Sequence, residues 1–322
     1  MRQDGAAMPR VTRPLLVALG LLALLTLGEM RLYEWQLYEG RDDYSFVLAN
    51  IDGILDGHPV SKSWQHRFLA PATIATISAF TGDRLTALKL FDRALLVIAN
   101  LLLFVLTLRK GRTPARSLAT VALFGLARAL AMYRLQYPWD DVDIVLFIAF
   151  GYWVAKEHPL YTFIPLLLIG TLNHETILYV PLYYLLSPID RPLNVGKREI
   201  LVAALAAVTM GSVIVLLRNH FYVGPPNWPG QELEASLPLV SNHQHIVHNL
   251  KQLLFANWIS RRAFVSATVL LALAALVGAV RRRRHTRAAV WTLTVFATIV
   301  CFGYVNETRH YLLLISFWFA LA

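Results

Sequence analysis

The chain has 322 residues, of which 57% are hydrophobic and 16% charged, and its formal charge is +10. A soluble domain has about 45–50% apolar and about 25% charged residues, so an ordinary soluble fold is excluded, as is disorder, which needs low hydrophobicity. Apolar runs recur along the whole chain, as in a polytopic helical membrane protein; a transmembrane barrel shows alternating segments of about 10 residues instead.

The first run, Pro14 to Met30, follows Arg2, Arg10 and Arg13. No small-residue cleavage site follows it, and Tyr33, Trp35 and Tyr38 form an interfacial belt, so it reads as an anchored first helix rather than a signal peptide. From Asp43 to Leu55 the apolar residues Phe46, Val47, Ile51, Ile54 and Leu55 fall at helical spacing, and Gly57 and Pro59 end the pattern. This predicts an amphipathic helix on the outer membrane face. Phe68–Phe80 is apolar but only roughly 20 Å long as a helix, short of a hydrocarbon core of about 30 Å. It reads as a re-entrant or outer-face helix.

Further spans are predicted at Arg84–Leu108, Ala115–Tyr133, Asp141–Lys156, Pro159–Leu172, Glu175–Leu186, Glu199–Arg218, Ala263–Val280, Ala288–Val305 and Tyr311–Ala322. With the first helix these make about ten spans in an all-α transmembrane bundle. Pro159–Leu172 and Glu175–Leu186 form a hairpin of short spans with Asn173-His174 at its outer tip. His245–Ile259 reads as a helix lying on the membrane. The whole chain is one transmembrane domain with outer loops at 31–83 and 219–262.

Basic residues set the orientation. Arg109-Lys110-Gly111-Arg112 with Arg116, Arg191 with Lys197-Arg198, and Arg281 to Arg284 with Arg287 are the dense clusters. The positive-inside rule puts them and both termini in the cytoplasm, in a multi-pass protein of the inner (plasma) membrane. The positive charge is thus an orientation signal beside membrane lipid, and nucleic acid is not an expected partner. The acidic residues and most histidines fall on the opposite side. Oligomeric state is not legible.

Five polar tips on that outer side carry the candidate chemistry. Asp42 and Asp43 follow Arg41 and open the amphipathic helix; capping accounts for one acid, and two adjacent acids exceed what capping needs. His66 and Arg67, in Ser63-Trp64-Gln65-His66-Arg67, stand where the chain re-enters the membrane, at a depth that suits a lipid phosphate or a snorkelling cation. Asp140, Asp141 and Asp143 begin a helix, and Asp143 needs a partner inside it. His174 and Glu175 tip the short hairpin, where polar backbone at membrane depth is expected to line a cavity. Glu307, Arg309 and His310 close the set, with Arg309-His310 as a second anion contact. Lys89 and Asp92 are spaced to pair within one helix, whereas Arg93 and Arg128 require partners elsewhere. The lone cysteine, Cys301, excludes a disulfide framework and a Cys-based metal site. His243, His245 and His248 lack an evident further ligand for zinc.

In this order of elements the chain resembles the GT-C superfamily of membrane glycosyltransferases, which use polyprenyl-phosphate sugars. The resemblance lies in a first helix, an outer loop opening Arg41-Asp42-Asp43-Tyr44 and continuing to Asp56-Gly57-His58-Pro59, and the re-entry His66-Arg67-Phe68-Leu69-Ala70-Pro71. It is strongest over residues 14–110. It implies an inverting transfer in which Asp42 or Asp43 deprotonates an acceptor hydroxyl, while Arg67, Arg309 and His66 bind the departing phosphate. Asp140, Asp141, His174 and Glu175 would hold sugar hydroxyls or the acceptor, with Glu307 and His310 beside them. The resemblance implies no defined cofactor and leaves a divalent cation open. A transporter or flippase of a lipid-linked or small polar substrate is the competing class, since short discontinuous helices also mark transporters. A non-catalytic envelope-assembly protein is the third, and predicts that the outer acids are individually dispensable.

Overall fold

The structure is a computed structural model that describes residues 13–37, 43–58, 67–131, 137–190, 193–221, 286–302 and 311–321. Every α-helix in it follows a local apolar run. In chain order they are α1 Arg13–Leu37, α2 Asp43–Asp56, α3 Leu69–Thr81, α4 Arg84–Arg109, α5 Pro114–Ala131, α6 Pro138–Ala155, α7 Ile164–Thr171, α8 Tyr179–Leu185, α9 Leu193–Phe221, α10 Thr286–Phe302 and α11 Leu312–Leu321. No strand occurs among the described residues. The predicted amphipathic helix is α2, and the short segment after Arg67 is α3. Asp83 separates α3 from α4, and its carboxylate accepts from the Leu85 and Thr86 N–H groups at 3.3 and 2.7 Å. Those groups would otherwise be unpaired donors at a helix start.

Among the described residues, three helices are long and apolar enough to cross a membrane: Arg13–Trp35, Arg84–Arg109 and Gly196–Phe221. The expectation of about ten spans is not met among the described residues, for a local reason. Pro159–Leu172 breaks into a four-residue 3₁₀ turn, Leu160–Phe163, followed by α7, and Glu175–Leu186 breaks the same way at Glu175–Leu178 before α8. Pro165 and Pro181 sit in the first turns of α7 and α8, where a missing N–H is tolerated but a continuous upstream helix is not. Leu160–Thr171 is therefore about 18 Å long. α11 is also short, at 10 residues. Ala263–Val280 and His245–Ile259 lie outside the described residues.

α6 occupies the centre. Its apolar residues are buried on nearly every side, including Ile144, Phe147, Ile148 and Phe150, as a helix that is hydrophobic all round must be. Its most extensive neighbour is α11, and α4 packs along it too. Gly151 makes the α6–α11 approach: a Cβ there would stand 2.4 Å from the Phe317 carbonyl oxygen. Phe150, Phe163, Tyr183, Trp291 and Phe317 form one aromatic core between α6, α8, α10 and α11, with Trp291 and Phe317 centroids 4.5 Å apart. A second core joins α1, α4 and α5 through Leu22, Leu103, Phe104, Val121 and Phe124. Where lipid is as apolar as leucine, close packing and buried polar pairs must hold such helices together.

α1 and α9 turn much of their apolar surface outward, with Leu24 66% and Val208 68% exposed. The two ends of the bundle differ in chemistry. One end gathers the starts of α3 and α6, the α7–α8 tip and the end of α9. At the other, Lys110 after α4 donates to the Ala320 and Leu321 carbonyls at the end of α11. There Arg287, opening α10, pairs with Asp190 at 2.7 Å and Glu199 at 3.5 Å.

Candidate functional site

At the first end the polar groups converge around α6. Asp143 lies one turn into that helix and 6% exposed. Its carboxylate accepts from Asn173 Nδ2 at 2.9 Å and Thr176 Oγ1 at 2.6 Å, and lies 2.6 Å from His174 Nδ1. Asn173 also donates to the Trp139 carbonyl at 2.9 Å. The tip of the hairpin is thus fastened to α6 through one carboxylate. A buried carboxylate requires such donors to remain charged. The other ring nitrogen of His174, Nε2, lies 3.6 Å from Glu175 Oε2, so the imidazole stands between two carboxylates.

Glu175 is the junction of the site. Its Oε1 lies 3.1 Å from Arg67 Nη2 and 3.4 Å from Arg218 Nη2, so two arginines from the start of α3 and the end of α9 meet on one oxygen. Arg67 is 5% exposed, and its Nε and Nη1 are buried without a hydrogen-bond partner among the described residues. Its guanidinium stands over the Trp139 ring at 5.2 Å, and Tyr137 stacks on Trp139 at 4.9 Å. Backbone joins the same elements, since Leu69 N donates to the Leu172 carbonyl at 2.9 Å. Beside the arginines, Phe68 stacks on Phe221 with centroids 5.6 Å apart. A buried guanidinium with unused donors, next to a second arginine and an apolar ring pair, can bind an oxyanion attached to a hydrophobic group.

Of the predicted site residues, Arg67, His174 and Glu175 are brought together. Asp140 accepts from the Tyr137 N–H at 3.2 Å and so fastens the start of α6. Asp141 accepts from Tyr33 Oη at 2.9 Å. It is two residues from both Trp139 and Asp143, and residues two apart on a helix face different sides. Asp141 therefore ties α6 to α1 rather than joining the Asp143 cluster. Asp42, His66, Glu307, Arg309 and His310 lie outside the described residues. Asp43 is the first residue of α2, and its side chain lies outside them too. Among the described residues no group of three or more His, Cys, Asp or Glu side chains is arranged to hold a metal ion. The histidines at 243, 245 and 248 lie beyond them.

Arg218 is the member that sequence reasoning missed. It stands at the end of a predicted span, and the available signal was its position on the acid-rich outer side. Arg93 and Arg128, which lacked partners in the sequence, both find them on α1. Arg93 Nε donates to Glu34 at 2.6 Å, and Arg128 Nη2 to Glu29 at 2.9 Å. No family model, curated protein or solved structure matches the chain.

Proposed function

We propose that the chain is a membrane glycosyltransferase that moves a sugar from a polyprenyl-phosphate donor to an acceptor on the extracytoplasmic side. The observation that carries this reading is Arg67, a buried cation with unpaired donors beside Arg218 and the Phe68–Phe221 pair. The wider topology belongs to the same proposal: a multi-pass chain in the inner membrane, both termini in the cytoplasm, and the Arg67 end outward.

In the reaction, Asp42 or Asp43 takes the proton of an acceptor hydroxyl. The hydroxyl oxygen bonds to the anomeric carbon as the carbon–oxygen bond to the lipid phosphate breaks, with inversion. Negative charge grows on the departing phosphate, and a preorganised cation in a water-poor site stabilises that change best. Arg67 supplies it, with His66 and Arg309 as further candidates from sequence. His174 borders the sugar and acceptor side, and Glu307 and His310 are further candidates from sequence.

The test is transfer from a polyprenyl-phosphate sugar by the purified full chain. A positioned general base contributes about 10²–10⁴-fold, so either Asp42→Asn or Asp43→Asn should fold and insert normally yet lose transfer by that factor. Full activity in both variants would overturn the assigned base. Absence of transfer by the unmodified protein, with a lipid-linked substrate moved across vesicles instead, would replace the enzyme with a flippase.

A further inference from the structure

Glu175 occupies an odd position for a group that merely contacts sugar. Its Oε1 is shared by Arg67 and Arg218 at 3.1 and 3.4 Å, so a single carboxylate oxygen faces two guanidinium groups. The three side chains differ in enclosure: Arg67 is 6% exposed, Arg218 18% and Glu175 32%. The cations are the enclosed partners and the anion is the open one. Arg67 still has Nε and Nη1 buried and unpaired among the described residues, and a buried charged donor left unused is costly. One carboxylate therefore leaves Arg67 under-satisfied.

A phosphate monoester answers that deficit. It carries a charge of about −1.5 to −2 and three acceptor oxygens, enough to meet two guanidinium forks at once. Glu175 also begins a 3₁₀ turn of four residues rather than a long helix. A short element at a partly exposed tip can let its side chain turn aside. The neighbouring apolar surface fits a phosphate carried by a lipid. Phe68 follows Arg67 directly, Phe221 follows Arg218 by three positions, and their rings stack at 5.6 Å across α3 and α9.

We infer that Glu175 is a built-in occupant of a phosphate site made by Arg67 and Arg218, and that the phosphate of a lipid phosphate monoester displaces it. The inference rests on the reaction proposed above, whose departing lipid is a phosphate monoester, and it adds Arg218 as a binding residue and Glu175 as an internal competitor. Binding of the ligand exchanges one anion for another on the same two cations, so neither arginine is ever left bare in the buried site.

Equilibrium binding of radiolabelled farnesyl phosphate to the full chain in nanodiscs, with inorganic phosphate and farnesol as competitors, tests it. Glu175→Gln should tighten farnesyl phosphate binding by about tenfold, the size of effect expected when one partly exposed carboxylate stops competing. Arg218→Gln should weaken it by about the same factor. The charge-balanced double variant Arg67→Gln/Glu175→Gln should fold and bind none. Farnesol should compete poorly, and inorganic phosphate less well than the lipid. Unchanged affinity in Arg218→Gln, weaker binding in a folded Glu175→Gln, or normal binding in the double variant would each overturn the inference. Equal competition by inorganic phosphate would overturn the lipid as its source. Should Glu175→Gln fail to fold, Arg218→Gln and the double variant decide the matter alone. Tightened binding in Glu175→Gln without sugar transfer by the unmodified protein would remove the transferase reading and leave this site standing.

Discussion

Two buried arginine–glutamate pairs in this bundle have similar lengths and opposite surroundings. Arg128 and Glu29 meet at 2.9 Å between α5 and α1, with side chains 4% and 10% exposed. Asn100 of α4 adds a 2.8 Å hydrogen bond to the same Glu29 oxygen and a 3.1 Å bond to Thr26. Arg67 and Glu175 meet at 3.1 Å, but the glutamate is one-third exposed, shared with Arg218 and close to His174. The first pair is enclosed by helices on all sides and joins three of them. The second opens at the end of the bundle and leaves two buried donors of Arg67 unused. Ion-pair distance alone does not separate a structural contact from a binding site; the exposure of the anion and the unused donors of the cation do.

Removing one partner from the enclosed pair has the largest expected effect. Glu29→Ala leaves Arg128 charged and buried, and breaking such a pair costs about 3–5 kcal/mol. Chemical unfolding of the purified protein should show that loss. Replacing both residues at once, Glu29→Met with Arg128→Met, should recover most of it, because an apolar pair of similar volume is often neutral or stabilising. A double variant as unstable as Glu29→Ala would show that the pair holds α1 by some means other than charge compensation.

The open pair should respond in function before stability. Arg67→Ala removes a cation from a developing phosphate charge, an effect of about 10²–10³ in turnover for one lost donor of this kind. Glu175 retains Arg218 and solvent, so the fold should lose less than in Glu29→Ala. Transfer assays and unfolding curves on the same preparations check this. Equal loss of stability in the two variants would erase the distinction between the pairs.

Much of this contrast was beyond the reach of sequence, and the reason is distance along the chain. Helix α2 was legible because its apolar spacing and the following Gly57 are local signals. The α7–α8 tip was legible for the same reason, through Asn173-His174 between apolar runs. Arg67, His174 and Glu175 stood out one by one as polar groups at the ends of apolar segments. Their meeting joins positions 108 apart for Arg67 and Glu175, and no spacing rule reports that. Arg218 had no local motif at all. Asp143 was recognised as needing a partner, but only the fold supplies Asn173, His174 and Thr176. Fewer long helices occur among the described residues than the apolar runs predict, because composition does not register where Pro165 and Pro181 interrupt their helices.

A smaller change probes the enclosure itself. Glu29 reaches Arg128 past Gly125, where a Cβ would stand 1.6 Å from Glu29 Oε1. The carboxylate is the free end of a flexible side chain, so it can move, but Arg128 and Asn100 hold it in place. Gly125→Ala should therefore cost about 1–3 kcal/mol, the range for overpacking a filled core. A neutral result would mean that the pair tolerates a shift of its carboxylate and is less tightly enclosed than the contacts imply.

The smallest expected effect lies at the opposite end of the bundle, where Lys110 donates to the Ala320 and Leu321 carbonyls, the latter at 2.9 Å. Burial lowers its ammonium from the usual 10.5 to about 8, and the nearby charges of Arg112 and Lys156 add to the shift. The direction of the pH dependence follows from linkage. Between pH 8 and 10.5 the unfolded chain holds a proton that the folded chain has released, so the unfolded state binds more protons and stability rises with pH. Below pH 8 the folded protein carries the charge against its burial. Lys110 is partly exposed, and solvent screening keeps the effect under about 1 kcal/mol. Thermal unfolding of the wild type and Lys110→Met between pH 7.5 and 10, plotted as the difference between them, isolates this group from other titrations. The wild type should gain on the variant as pH rises. A flat difference would mean that the two carbonyls at the end of α11 favour the ammonium as strongly as burial opposes it. That helix end would then be a cation site in balance, unlike the Arg67 end, where unsatisfied donors persist.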